Sequence, residues 1–462
     1  MRWFQIVAWC FASLSVAQAS EAALIVPPSG VVGVADEAML TPDFWIRRLA
    51  QPDRVLLDEA AIAARNDQLY RRDPSMHDLH ALPSMLTREQ VLAWIDGVSQ
   101  LPRRPLFDGQ GNPVGEAVLH RFVDALALDR VPARQPTRYG LVVRRAALRS
   151  FPTELRVFTV KGDADIDRFQ QTAEFPGTPV AIVHASRDGQ WLFVLSPRYA
   201  AWTRRENIAE GGAAQLFGYV DASPRRVVTG ASVATVHTRE RPAVSQLPLD
   251  MGVSAPLADH PADRPVNGQS PYTSYVIELP TRTADGGLEI VPALLPRQAD
   301  TADRYLPLTE ANILRQAFKF LGERYGWGHD YDARDCSGFV SDVYRSMGVQ
   351  MPRDTGRQAA SPALAHQAFG DGDSHAARMN AVDALRVGDL VYIPGHVMMV
   401  IGRIDGQPYV IHDTTGIAYR DGHGDLRQVK LNAVSVTPLL PLVFDDGRSY
   451  VDRMTAIVHV RP

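Results

Sequence analysis

The chain has 462 residues, of which 45% are hydrophobic and 22% are charged, and its formal net charge is −4. This length predicts about three domains, and such a small charge imbalance gives no electrostatic reason to expect nucleic-acid binding. Beyond the N-terminus no apolar stretch is long enough to span a bilayer, so we expect no membrane span.

The N-terminus has the pattern of a secretory signal peptide. A single arginine precedes an apolar run over residues 6–16, and a small-x-small site follows it. We therefore expect a signal peptide over residues 1–19 and a mature protein that is periplasmic or secreted. Its removal would take away Cys10 and leave Cys336 without an intramolecular partner. An odd cysteine in an exported chain indicates a reactive thiol or intermolecular pairing, and a buried inert thiol is the alternative.

The segment that follows, residues 20–136, is predicted to be a helical and irregular N-terminal region. Helical patches alternate with proline stops in its first half. The stretch TREQVLAWIDGVSQL then has helical periodicity, and Thr87 and Gln90 form a capping-box pattern at its start. We expect this region to pack on other parts of the chain.

Residues 137–300 have a different texture, with short runs rich in Val, Ile, Phe and Trp between turn residues. One set of runs lies in residues 137–210, where Asp188-Gly189 marks a turn, and a second set lies in residues 211–300. Short strands at this spacing predict two small β-barrels.

The last segment, residues 301–462, combines helices with strands. A helix is predicted to start at Thr309, and Cys336 is expected in the first turn of a second, buried helix. Downstream, DLVYIPG, HVMMVIGRIDG and QPYVIHDTTG indicate consecutive antiparallel strands, of which the last two are joined by an Asp405-Gly406 turn. The predicted fold class is therefore α+β.

Three residues of this segment suggest nucleophilic catalysis. His396 begins one predicted strand and His412 ends the next, so an antiparallel pairing brings the two side chains together. Cys336 would attack, His396 would take and return protons, and His412 would orient His396. A helix N-terminus and a cationic imidazole would lower the pKa of the thiol. A zinc site made from the same residues is the competing hypothesis, although it lacks the close ligand spacing usual for zinc.

At this point the sequence resembles a known family. The motifs YGWGHDYDARDCSGFV, PRDTGRQ, GHVMMVIG and YVIHDTTG, in this order, are similar to the NlpC-type cysteine peptidases of bacterial cell walls, which have a papain-like fold. The resemblance covers residues 306–462. The upstream segments are similar to one branch of the family, in which a helical stabilising domain and two SH3-like domains precede the peptidase.

The resemblance implies a γ-D-glutamyl-L-diamino-acid endopeptidase that cuts peptidoglycan stem peptides between D-Glu and diaminopimelate or Lys. Cys336 falls on the family's nucleophile, His396 on its general base and His412 on its third polar residue. The residues that fall on its substrate-binding positions are Tyr325, Asp335, Ser337 and Thr355. The loop at His329 and Asp330 departs from the family's usual W-G-G pattern.

Further expectations follow from the resemblance. Asp335 could pair with the amine of the stem, and the first SH3-like domain would restrict the cleft to stems with a free N-terminal L-Ala. We expect peptidoglycan stem peptides or muropeptides as partners, a monomer, and no metal or other cofactor.

A cell-wall amidase or acyltransferase on the same fold and a non-catalytic wall-binding protein remain as alternative functions. His329 is expected on the loop surface, with a substrate contact as the other interpretation.

Overall fold

The computed structural model describes residues 29–461. The expected signal peptide, residues 1–19, and Cys10 lie outside this range. The longest helix in the described part has 14 residues, and no helix there is long and apolar enough to cross a membrane. Helices and antiparallel sheets alternate along the chain, which confirms the predicted α+β class.

The N-terminal region, residues 29–136, is shared between two hydrophobic cores. Its elements are α1 (Pro42–Ile46), β1 (Val55–Leu57), α2 (Glu59–Arg72), β2 (Met85–Thr87), α3 (Arg88–Asp96), α4 (Glu116–Ala125) and β3 (Arg134–Pro136). Thr87 and Gln90 form the predicted capping box of α3. Trp45 of α1 packs into the core of the C-terminal region, whereas Val91 of α3 packs into that of the β region that follows.

The first β region, residues 137–210, is a single seven-stranded antiparallel sheet. Its strands are β4 (Arg138–Val142), β5 (Ala146–Arg149), β6 (Gln170–Glu174), β7 (Pro179–Ala185), β8 (Trp191–Leu195), β9 (Ala200–Arg204) and β10 (Ile208–Gly211). They lie in the order β10-β4-β7-β8-β9-β5-β6. The sheet does not close into the expected barrel, because its outer strands have other neighbours. Glu210 of β10 donates its N–H to the carbonyl of Gly286, and β6 packs against residues 327–332.

The second β region, residues 211–300, starts with a helix and has three small sheets around one core. Its elements are α5 (Ala213–Asp221), β11 (Arg225–Val228), β12 (Ser232–Ala234), β13 (Pro248–Asp250), β14 (Ser254–Pro256), β15 (Ser274–Arg282) and β16 (Leu288–Pro296). A short strand just past residue 300, β17 (Thr301–Ala302), pairs with β11. No closed barrel forms from these described strands. The strands β11 to β14 have only three or four residues each, and Pro248 and Pro256 remove ladder donors from two of them.

The C-terminal region, residues 301–461, packs helices against a six-stranded sheet. Its helices are α6 (Glu310–Phe318), α7 (Cys336–Arg345), α8 (Thr355–Ala360) and α9 (His375–Asp383). Its strands are β18 (Leu308–Thr309), β19 (Ala365–Ala368), β20 (Leu390–Ile393), β21 (His396–Ile404), β22 (Gln407–Thr414), β23 (Ile417–Arg420), β24 (Leu426–Val429), β25 (Ala433–Pro438), β26 (Leu442–Val443) and β27 (Ala456–His459). The main sheet has the order β19-β27-β20-β21-β22-β25. The predicted antiparallel run β20-β21-β22 is thus confirmed, and Asp405 and Gly406 form its second turn with φ values of 50° and 81°.

Helix α7 begins at Cys336, as the sequence predicts. The side chain of Asp335 caps it by accepting a hydrogen bond of 2.8 Å from the N–H of Gly338. Phe339, Val340 and Val343 follow at helical spacing and are fully buried in the core between α7 and the sheet. The cap and this apolar face fix the first turn of α7 at one end of strands β21 and β22.

A buried arginine next to this cap joins three regions of the chain. Arg334 is 1% exposed and donates to Asp342, Glu323 and Asp250 at 2.8–2.9 Å. Asp250 belongs to β13 of the second β region. It also pairs at 2.5 Å with Arg145, which lies in the first β region. The position of α7 therefore depends on ion pairs with both β regions.

We predict that Arg334→Ala lowers the free energy of unfolding by about 3–5 kcal/mol, because it leaves Asp250 and Asp342 as buried charges without this partner. Urea titration of the purified protein measures the change. Arg304→Ala is the control, since the side chain of Arg304 is 71% exposed, and we expect a change of about 0.5 kcal/mol or less. Equal effects of the two substitutions would contradict the role given to Arg334.

Candidate active site

Two histidines meet at the end of the main sheet. Nε2 of His396, at the start of β21, lies 2.8 Å from Nδ1 of His412, near the end of β22. Nε2 of His412 lies 3.0 Å from the hydroxyl of Thr437 on β25. His412 is fully buried, whereas His396 is half-buried. This hydrogen-bonded line uses Nε2 of His396 and leaves Nδ1 as the nitrogen that can interact with another group.

Cys336 lies beside the start of β21. Its Sγ is 3.7 Å from the hydroxyl of Thr355, and the backbone N–H of Val397, the residue after His396, lowers the pKa of the thiol. Burial has the larger effect, and together with the charge of Asp335 it raises the pKa of Cys336 to about 12. The expected acidic thiol is therefore not observed. Burial also lowers the pKa of His396 to about 4, so the thiol and the imidazole are both neutral at neutral pH.

Asp335 and Ser337, which flank Cys336, are bound by a buried arginine. Arg353 is 2% exposed and donates to both carboxylate oxygens of Asp335, at 3.1 and 2.7 Å, and to the hydroxyl of Ser337 at 2.9 Å. Burial alone would raise the pKa of Asp335, but the Arg353 guanidinium lowers it to about 2. Asp335 is therefore an ionised and fully paired carboxylate.

The loop before Cys336 contacts the first β region. Gly328 accepts a hydrogen bond of 2.8 Å from the side chain of Gln170, and Trp327 donates to the carbonyl of Gln170 at 3.0 Å. Asp330 pairs with Arg156 at 2.5 Å. The loop departs from the family's pattern at His329 and Asp330. Asp330 is thus part of the contact with the first β region, and His329 lies next to it.

His329 is fully buried, and the expectation of a surface or substrate-binding residue was wrong. Its Nδ1 accepts a hydrogen bond of 2.9 Å from Arg353. Its ring fills the space in which a Cβ on Gly338 would lie, at 2.5 Å, which explains the glycine in the first turn of α7. Burial and the charge of Arg353 lower the pKa of His329 to about 3. His329 is therefore a neutral packing residue.

Tyr325 and Thr355 complete the set of sequence-predicted site residues. Tyr325 is 7% exposed. Burial, reinforced by the charge of Asp335, raises the pKa of Tyr325 far above its ordinary value, so that the phenol keeps its proton. Thr355, the first residue of α8, is half-buried and touches the thiol. The structure places all seven predicted residues around the first turn of α7 or at the adjoining end of the sheet.

Three residues near the site were not predicted from the sequence. Thr437 bonds His412, and Arg353, part of the PRDT motif, binds Asp335. Asp413 follows His412 and is fully buried, and neither of its carboxylate oxygens has a hydrogen-bond partner within the described residues. Burial, and then the charge of Glu323, raises the pKa of Asp413 well above its ordinary value. Arg353 and Asp413 lie within the quoted motifs PRDTGRQ and YVIHDTTG, which is a signal in the sequence, whereas Thr437 lies outside all of the motifs.

The comparisons with known proteins agree with this arrangement. The model of the NlpC/P60 family matches residues 322–435, which include the cysteine and both histidines, and a model described as SH3 domain (SH3b1 type) matches residues 156–204. Two proteins named probable endopeptidase p60, from Listeria welshimeri and Listeria seeligeri, are 31% and 30% identical over 118 residues, or 24% of this chain. The match spans about a fifth of their length, 19% in each case.

The structural comparison extends further along the chain. A structure described as that of a novel NlpC/P60 endopeptidase from Photobacterium damselae subsp. piscicida superposes with a TM-score of 0.70 at 14% identity, over 90% of this chain and 96% of that one. An NlpC/P60 family protein from Bacillus cereus covers 70% of this chain, with a TM-score of 0.47 and 18% identity. The family models, rather than these superpositions, assign an NlpC/P60 domain to residues 322–435 and a preceding SH3 domain of the SH3b1 type to residues 156–204.

We predict that alkylation of Cys336 by iodoacetamide is slow at neutral pH and accelerates about tenfold per pH unit between pH 6 and pH 9, because the reactive thiolate is the minor form below a pKa of about 12. Mass spectrometry of the labelled protein measures the rate. A rate that is already independent of pH at pH 6 would instead indicate a thiolate–imidazolium pair.

We further predict that stability decreases as pH falls. The pKa of His329 is about 3 in the folded protein, so below about pH 6.5 the unfolded chain binds a proton that the folded chain does not. His396 and His412 shift in the same direction. His329→Gln should reduce the slope of unfolding free energy near pH 5 by about 1.4 kcal/mol per pH unit. The exposed His423→Gln is the control, and an unchanged slope in His329→Gln would contradict the prediction.

Proposed function

We propose that this protein is a peptidoglycan hydrolase, a γ-D-glutamyl-L-diamino-acid endopeptidase that cuts stem peptides between D-Glu and diaminopimelate or Lys. The observation that supports this most is the line Thr437–His412–His396 beside a buried cysteine at a helix N-terminus. The family match and the names of the Listeria relatives, each a probable endopeptidase, support the reaction class. Action on the cell wall requires export, which we assign to the expected signal peptide over residues 1–19.

The mechanism uses the tautomers that leave Nδ1 of His396 without a proton. In this arrangement His412 donates from Nε2 to Thr437 and accepts at Nδ1 from the Nε2–H of His396, which the distances of 3.0 and 2.8 Å allow. Nδ1 of His396 then carries a lone pair, and it takes the proton of Cys336 as Sγ attacks the γ-carbonyl carbon. Because thiol and imidazole are both neutral beforehand, proton transfer accompanies the attack. His396 next protonates the leaving amine, and water hydrolyses the thioester.

Two groups are suited to bind the oxyanion that forms. The backbone N–H of Cys336 is at the start of α7, where helix amides have no intrahelical partner. The phenol of Tyr325 keeps its proton and therefore acts as a neutral donor. Donors fixed before the substrate binds stabilise the charge that develops on the carbonyl oxygen.

The resemblance also implies a preference for stems with a free N-terminal L-Ala. The first β region does contact the site, through Gln170 and Thr172, as a wall across the cleft would require. An amine, however, needs an acceptor that is not already used. Asp335 is already bound by Arg353. The proposed preference for a free amine therefore has less support than the proposed cleavage position.

We predict that the purified protein cleaves L-Ala-γ-D-Glu-diaminopimelate to L-Ala-D-Glu and diaminopimelate, and that Cys336→Ala abolishes cleavage because no nucleophile remains. Mass spectrometry of the products identifies the bond. Thr437→Val should keep the nucleophile and lower kcat about tenfold or more by freeing His412. The same stem attached to muramic acid tests the amine preference.

Other outcomes distinguish the alternative functions. Release of the whole stem from muramic acid would indicate an amidase, and transfer of an acyl group would indicate an acyltransferase. Binding to peptidoglycan without cleavage, unchanged in Cys336→Ala, would indicate a wall-binding protein.

A further inference from the structure

The carboxylate of Asp335 has no acceptor site left for a substrate. One oxygen accepts from the N–H of Gly338 at 2.8 Å, from the hydroxyl of Ser337 at 3.1 Å and from Arg353 at 3.1 Å. The other accepts from the N–H of Gly328 at 3.0 Å and from Arg353 at 2.7 Å. A carboxylate offers about four lone-pair sites, and these five bonds occupy all of them.

Arg353, the partner of Asp335, likewise has an acceptor for each of its N–H donors. Arg353 donates from Nε to the hydroxyl of Thr172 at 2.6 Å. Its Nη1 donates to Asp335 and Ser337, and its Nη2 donates to Asp335 and His329. An arginine has five N–H donors, and each has an acceptor here. A substrate ammonium could bind Asp335 only by displacing one of its five present donors, and displacing Arg353 would leave a buried guanidinium without its counter-charge.

The contact with Thr172 gives this cluster a second consequence. Thr172 belongs to β6 of the first β region and is fully buried. Through Arg353 its hydroxyl is two hydrogen bonds away from the carboxylate that caps α7. The first β region is therefore bonded, through Arg353, to the residue that caps the helix of Cys336.

We infer that Asp335 is a positioning residue which, with Arg353 and Thr172, holds the first turn of α7 in place, and that it does not recognise the amine of the substrate. This inference rests on the proposed function. It changes the expected specificity, because the cluster provides no charge for a free N-terminal L-Ala. Asp335 should therefore contribute equally to the cleavage of stems with a blocked amine and of stems with a free amine.

The test compares two substrates, L-Ala-γ-D-Glu-diaminopimelate and its N-acetylated form, with the full-length wild type and Asp335→Asn. We expect kcat to fall tenfold or more on both substrates, with KM and the ratio of the two kcat/KM values unchanged within about twofold. A loss of tenfold or more confined to the free-amine substrate would overturn the inference, because Asp335 would then bind the amine.

A second variant tests the inference independently if Asp335→Asn does not fold. Thr172→Val removes one of the five acceptors of Arg353 and should lower kcat severalfold on both substrates. Thr159→Val is the matched control, since Thr159 lies in the same region and bonds Arg168 instead. Equal kcat values for Thr172→Val and the control would overturn the role of Thr172.

Alkylation of Cys336 separates this inference from the proposed function, because it needs no substrate. The charge of Asp335 raises the pKa of the thiol, so Asp335→Asn should react with iodoacetamide severalfold faster at pH 8 while hydrolysing more slowly. An unchanged or slower alkylation would contradict the placement of Asp335 beside the thiol. If the wild type cleaves neither stem, the proposed function fails, and the alkylation rate of Asp335→Asn still tests whether Asp335 lies beside the thiol.

Discussion

Two buried guanidinium groups determine how the parts of this molecule are assembled. Arg334 precedes the cap of α7, and Arg353 binds the cap itself. A buried cation is tolerated only where carboxylates and other acceptors surround it. The acceptors come from different regions: Asp250 from the second β region, Thr172 from the first, and Asp342 from α7. Satisfying two charges thus fixes the positions of both β regions relative to helix α7.

Burial also decides the electrostatic state of the site. The apolar core beneath α7 disfavours charge on Cys336 and on both histidines. The ionised groups are those that have a direct counter-charge, such as Asp335 with Arg353. The site therefore separates two tasks. Fixed charges hold the backbone, and the groups assigned to proton transfer in the proposed mechanism are neutral.

Local patterns were sufficient to predict one part of this structure. Helix α7 and strands β20 to β22 follow from apolar periodicity and turn residues, and adjacent strand ends bring His396 and His412 together. The partners of the arginines could not be predicted in this way. Arg353 and Thr172 are 181 residues apart, and Arg334 and Asp250 are 84 apart. The closed barrel expected in the first β region failed for a related reason, because the edges of its sheet contact other regions of the chain rather than each other.

The distribution of these contacts bears on how such a protein can change over evolutionary time. The segment that carries the family's motifs, residues 322–435, excludes both Asp250 and Thr172. If this segment were recombined into another chain by itself, two buried cations would lose acceptors. In this protein the segment therefore depends on both upstream β regions for those acceptors. Amino-acid substitution in the upstream β regions is likewise limited at the few positions that contact Arg334 and Arg353.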